Sequence, residues 1–167
     1  MMVTSSVPKA MAERYKQNLM RATHNTERLF LFAGDQKIEH LNADFRDTQE
    51  AQDPEHLFAI ASKARIGVFA TQLGLIARYG ATYPAIPYLV KMNAKTNLVG
   101  LDGDDPMSTD LTTVADVVRL RDQSNLAILG VGMTIYLGSR YEGRMLASAA
   151  QLVLEAHQHG LFCVLWV

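Results

Sequence analysis

Two clusters of ionisable side chains each follow directly on an apolar run. Asp35, Lys37, Glu39 and His40 come just after Leu29-Phe30-Leu31-Phe32-Ala33-Gly34, and Lys91, Asn93, Lys95 and Thr96 follow the run that begins at Ile86. A short continuous apolar run reads as a strand buried on both faces, as in parallel sheets with helices outside. In such sheets chemistry gathers at the carboxyl ends of the strands. A carboxylate placed there can orient a substrate hydroxyl or shuttle a proton, which makes Asp35 the first candidate. Lysines in a sheltered mouth are candidate imine-forming nucleophiles, and by position these are Lys91 and Lys37. The same groups also fit a solvated loop or surface ion pairs, since loop residues are commonly polar. Spacing alone leaves both readings open.

The elements that must position these groups alternate along the chain. Ser5 or Ser6 can cap a first helix with Pro8 in its opening turn and an apolar stripe at Met11, Tyr15 and Leu19. A strand is expected over 29–34, and a helix opened by Asp53-Pro54 follows with Leu57, Ile60, Ala61 and Ala64. A second strand covers 66–71, and a short helix from Gln72 to Arg78 is stopped by Gly80. The third strand, 86–92, carries Pro87 near its start, where the missing donor is tolerated. Thr112 or Thr113 caps the next helix, which ends near Ser124-Asn125 and leads to a long apolar stretch over 126–138. Its Gly130 and Gly132 serve close packing, because Ile135 stands where a dinucleotide fingerprint needs its third glycine. A long helix over 141–159 ends at Gly160, and a fifth strand covers 161–167. Five alternating strands and helices make either an open sheet or the first part of an eight-fold barrel, which typically needs about 250 residues. The last strand closes without a following helix, so the chain is expected to be one incomplete domain, 1–167, of something longer.

Bulk properties narrow the function classes. With 49% hydrophobic and 20% charged residues the chain is an ordinary globular one, and a net charge of −1 gives no broad attraction to nucleic acid or anionic lipid. There is no run of about 18 apolar residues, no signal-peptide pattern and one cysteine, Cys163, which excludes an intramolecular disulfide. A cytoplasmic location is expected, with neither membrane nor nucleic acid as partner. The acidic run Asp102, Asp104 and Asp105 lacks calcium-loop spacing. His24, His56, His157 and His159 are expected to face away from the site, and no pair of them has zinc spacing with a third ligand, so no metal is expected. Trp166, the single tryptophan, is either core or a wall of the site, because it lies near the carboxyl end of the last strand.

Four segments, in order, carry a resemblance: Ala33-Gly34-Asp35-Gln36-Lys37-Ile38-Glu39-His40, then 89–98 with Lys91, then Thr134-Ile135-Tyr136-Leu137-Gly138-Ser139, then Val164-Leu165-Trp166-Val167. Together they resemble the archaeal-type class I fructose-bisphosphate aldolases, which belong with the deoxyribose-phosphate aldolase and transaldolase group. The resemblance implies an α/β fold, a (β/α)8 TIM barrel of which this chain holds about the first five strands. It implies cleavage of fructose 1,6-bisphosphate through a lysine Schiff base, without metal or cofactor. Asp35 then matches the active-site aspartate after the first strand, and Trp166 a tryptophan lining the site on the fifth. The proton-donating tyrosine, the Schiff-base lysine of the sixth strand and the phosphate site of the last two strands would all fall beyond Val167. Lys91 is therefore not the imine-forming lysine, and with Lys37 and His40 it is left as a substrate-binding candidate. Gln36 departs from the histidine that many members carry after the aspartate, which leaves the exact phosphosugar open. The chain by itself is expected to be inactive, and an incomplete barrel would expose strand edges that favour association as a homo-oligomer. The alternatives are a related transaldolase-like or phosphosugar aldolase and a non-catalytic scaffold or oligomer subunit.

Overall fold

A computed structural model describes residues 3–35, 38, 48–96 and 105–167. Helix α1 (Ala12–Ala22) follows a 3₁₀ turn at Lys9–Met11. Neither serine caps it: the Ser6 hydroxyl instead pairs with Nδ1 of the distant His157 at 2.7 Å. Strand β1 is Leu31–Ala33, shorter than the run that predicted it. Leu29 and Phe30 are 38% and 65% exposed, and all three strand residues are half-buried. The reason is its place at the sheet edge, where β2 alone pairs with it.

Asp53 opens α2 (Glu55–Lys63) as expected, its Oδ1 accepting from the Glu55 N–H at 2.9 Å. Strand β2 (Val68–Gln72) is buried throughout and runs directly into α3 (Leu73–Tyr79). Strand β3 (Tyr88–Lys91) follows Pro87, and a short antiparallel ribbon of β4 (Asn93–Ala94) and β5 (Thr109–Asp110) comes next. The ribbon was not foreseen, because neither two-residue strand has a period of its own. Thr113 caps α4 (Val114–Ser124) through a reciprocal box with Asp116, and Asn125 ends it with a left-handed φ of 57°. Strand β6 (Ile128–Thr134), α5 (Glu142–Gln158) and β7 (Phe162–Trp166) complete the described elements. Gly160, at φ 69°, supplies the left-handed turn between the last two.

The five long strands form one parallel sheet in the order β1-β2-β3-β6-β7. Each strand pairs with the next parallel strand along the chain, so the winding never reverses. An open doubly wound sheet reverses at a switch point. Monotonic winding is that of a barrel, and the sheet is a parallel half-barrel. One face packs on the helices through Phe58, Phe69, Tyr88, Val117, Met145 and Leu152. The other buries Val68, Ala70, Leu89, Leu129 and Phe162 against Val7, Tyr15 and Ala22, so α1 covers the amino ends of the strands.

His157 anchors that cover. It is 6% exposed, bonds Ser6 and meets the Tyr15 ring edge-on at 5.4 Å. Burial holds its pKa below the ordinary value. A histidine kept neutral by the fold takes up its proton more readily when unfolded, so its contribution is complete above about pH 6.5 and is lost as pH falls below that. The melting temperature is therefore expected to drop between pH 7.5 and 5.5, and to drop less in His157→Gln. Equal drops in both proteins would remove His157 as the cause.

Candidate active site

Lys91 links the strand ends. It is the last residue of β3, is 1% exposed, and stands in register with Gln72 of β2 on one side and Gly132 of β6 on the other. Alternation along parallel strands puts Gln72, Lys91, Gly132 and Trp166 on the face away from the helices. Across that face the Lys91 Nζ lies 3.2 Å from Oδ2 of Asp35, passing over β2 to reach the residue that follows β1. The same ammonium donates to the Asn93 carbonyl at 3.3 Å and lies 5.4 Å from the centroid of the Trp166 ring. A carboxylate, a carbonyl and an aromatic face all draw on one cation.

The supporting bonds explain why the strand ends stay together. Thr71 Oγ1 donates to the Gly34 carbonyl at 2.9 Å, and Gln72 Nε2 donates to the Asp35 carbonyl at 3.4 Å, so β2 holds the backbone on which Asp35 is carried. Gly132 makes room for the indole: a Cβ there would come within 2.6 Å of Trp166 Cζ3 and 2.7 Å of the Val164 oxygen. This is the close packing expected of the strand glycines. The Cys163 thiol, pushed up to about 12 by burial, remains an inert small apolar group.

The structure thus brings Asp35, Lys91 and Trp166 into one cluster, although Asp35 lies two residues past β1 and the other two on β3 and β7. Lys37 and His40 fall outside the described residues. Sequence reasoning missed Gln72, taken only as a helix start, and the role of Asn93. The available signal was a polar residue closing a fully buried strand. His24 bonds the Ile66 carbonyl at 3.1 Å, near the amino end of β2, and with His157 it lies at the end away from Asp35, as anticipated. Among the described residues no group of three His, Cys, Asp or Glu could hold a metal ion. Asp105 of the acidic run is held below the usual carboxylate range by bonds from the Arg140 N–H and guanidinium. A separate surface cavity lined by Asp110, Thr113, Ser148 and Gln151 lies by the helices, on the other side of the sheet. No helix of the described residues is long and apolar enough to cross a membrane.

Known proteins share this fold. A fructose-bisphosphate aldolase/6-deoxy-5-ketofructose 1-phosphate synthase of Methanocaldococcus jannaschii is 54% identical over 167 residues, which is 98% of this chain and 53% of that protein. The structure of a fructose-bisphosphate aldolase from Slackia heliotrinireducens superposes with a TM-score of 0.93 at 50% identity, covering 99% of this chain and 53% of that one. An archaeal fructose-1,6-bisphosphate aldolase, whose structure has the catalytic lysine covalently bound to the carbinolamine intermediate of the substrate, gives 0.73 at 29% identity over 91% of this chain and 56% of its own. The chain spans about half the length of these relatives, and its half-barrel matches the corresponding part of theirs. The profile described as DeoC/LacD family aldolase matches residues 29–167, and the chain belongs to that family.

Proposed function

We propose that the complete protein is a class I, Schiff-base aldolase that cleaves or forms fructose 1,6-bisphosphate or a similar phosphorylated sugar, and that residues 1–167 are a single, incomplete barrel domain supplying its first five strands. The observation that carries this reading is the buried Asp35–Lys91 pair beside Trp166 at the carboxyl ends of a half-barrel. Asp35 moves a proton to and from a substrate hydroxyl, and the Lys91 ammonium steadies the carboxylate while it does so. Trp166 forms an apolar wall that keeps water from the reacting carbonyl. Lys91, Lys37 and His40 contact the hydroxyls and anionic groups of the sugar. The proton-donating tyrosine lies two residues beyond Trp166, and the imine-forming lysine and a phosphate site belong to the remaining strands. The reaction needs neither metal nor cofactor. On this reading the protein works in glycolysis and gluconeogenesis in the cytoplasm, as a homo-oligomer, with no nucleic-acid or membrane partner.

A second reading, a condensing enzyme on another phosphorylated ketose, is favoured by the identity with the Methanocaldococcus protein that carries both names. Borohydride trapping with dihydroxyacetone phosphate tests the proposal. The 167-residue chain is expected to gain no mass above its 18.5 kDa, whereas the complete protein gains one adduct at a lysine beyond Val167. An adduct on Lys37, Lys91 or Lys95 would overturn the assignment. Trapping together with failure to cleave fructose 1,6-bisphosphate would select the second reading, and a complete protein that traps nothing would indicate a non-catalytic scaffold.

A further inference from the structure

Asn93 is fully buried, and a buried amide is costly unless its donor and acceptor are both paired. Its Oδ1 accepts from the Thr134 N–H at 2.8 Å, and its Nδ2 donates to the Thr134 carbonyl at 2.8 Å. The backbone rung from Met92 N–H to the Gly132 carbonyl, at 2.8 Å, lies just before this point. Beyond it β4 turns aside to pair Asn93 with Asp110, so the main chain leaves β6 and the side chain continues the link in its place. The same residue presents its own carbonyl to Lys91 Nζ. One side chain therefore ties together the two strands on which Lys91 and the Trp166 pocket depend.

We propose that Asn93 is a positioning residue of the site: its amide locks the end of β3 to the end of β6, and the carbonyl fixed by that lock holds the Lys91 ammonium between Asp35 and Trp166. The lysine stem is long and flexible, and without the lock its charge moves off the Asp35 carboxylate. The kinetic consequence rests on the aldolase reading; the effect on Lys91 does not.

Two substitutions in the complete protein separate these roles. Asn93→Ser removes both bonds to Thr134. Asn93→Asp keeps the acceptor and recovers the donor only while its carboxyl is protonated, because a carboxylic acid then presents the same O–H and C=O pair. Acetylation of Lys91 by acetic anhydride, read by peptide mass against the exposed Lys63, is expected to accelerate about tenfold in Asn93→Ser, the size of one lost hydrogen bond. The kcat for fructose 1,6-bisphosphate cleavage is expected to fall by about 100-fold with a smaller change in KM, as for a displaced reacting group. Borohydride trapping of the imine should persist. Asn93→Asp should regain activity as pH falls, adding a limb to its pH profile that the parent protein lacks.

Unchanged Lys91 labelling in Asn93→Ser would overturn the proposal, as would an Asn93→Asp loss of equal size at every pH. If Asn93→Ser does not fold, labelling and the pH profile of Asn93→Asp decide. If the parent protein cleaves no sugar phosphate, the aldolase reading falls and the labelling comparison alone decides whether Asn93 holds Lys91.

Discussion

Asp35→Asn in the complete protein is expected to lower sugar-phosphate cleavage by about 100- to 10,000-fold, the usual contribution of a positioned acid or base. It is expected to destabilise the fold at the same time. The Lys91 ammonium is 1% exposed and lies 3.2 Å from the carboxylate, so Asp35→Asn takes a negative partner away from a buried charge. Breaking such a pair costs about 3–5 kcal/mol. Asp35 is itself 14% exposed, and some water reaches the pair, which places the expected loss near the lower end.

The double variant Asp35→Asn with Lys91→Met separates the two effects. Methionine fills a similar volume without charge, and replacing both members of a buried pair is often neutral. Stability should return in the double variant while activity stays lost. Urea midpoints and kcat on the same preparations give both answers. If Asp35→Asn kept full activity, Asp35 would have no part in proton transfer. If it unfolded at the parent's urea concentration, the ion pair would contribute nothing to the fold.

Gly132→Ala carries the second large effect. The added methyl would come within 2.6 Å of a Trp166 ring carbon and 2.7 Å of the Val164 carbonyl, and the second of these is backbone in a paired strand. Overpacking of this kind costs about 1–3 kcal/mol, and the indole is the movable partner. Trp166 is the single tryptophan of residues 1–167, so the emission of this chain reports the displacement directly. A shifted emission maximum and a lower melting temperature are expected together in this chain, and reduced cleavage in the complete protein. Gly143→Ala on α5 is the control: nothing lies within 4 Å of its Cβ, and alanine should stabilise a helix there by about 0.5–1 kcal/mol. Unchanged emission in Gly132→Ala would mean that glycine is dispensable beside the indole.

The comparison of sequence with structure divides along physical lines. Local signals placed most elements: the Asp53 and Thr113 starts, the Gly160 stop and the five apolar runs all mark strands or helices where expected. Boundaries drifted where a neighbour decided them. Leu29 and Phe30 are apolar yet exposed because β1 has one paired edge, and the 126–138 run ends as a strand at Thr134, where pairing with β7 ends. Ser6 read as a helix cap, but its partner is a histidine on α5 far along the chain, and no local rule anticipates that bond.

Composition, periodicity and turn residues by themselves determined the alternation of buried strands and helices and the presence of polar groups at the strand ends. Asp35 as an end-of-strand carboxylate and the resemblance to Schiff-base aldolases were both readable there. Tertiary structure decided which of those groups meet. Lys91 reaches Asp35 across an intervening strand, Trp166 closes over the space left by Gly132, and Asn93 grips Thr134. Each contact depends on strand order and pairing register, in which a slip of one residue would turn every side chain to the opposite face. Register is set by contacts between residues far apart in the chain, and that is why it stayed hidden until the strands were assembled.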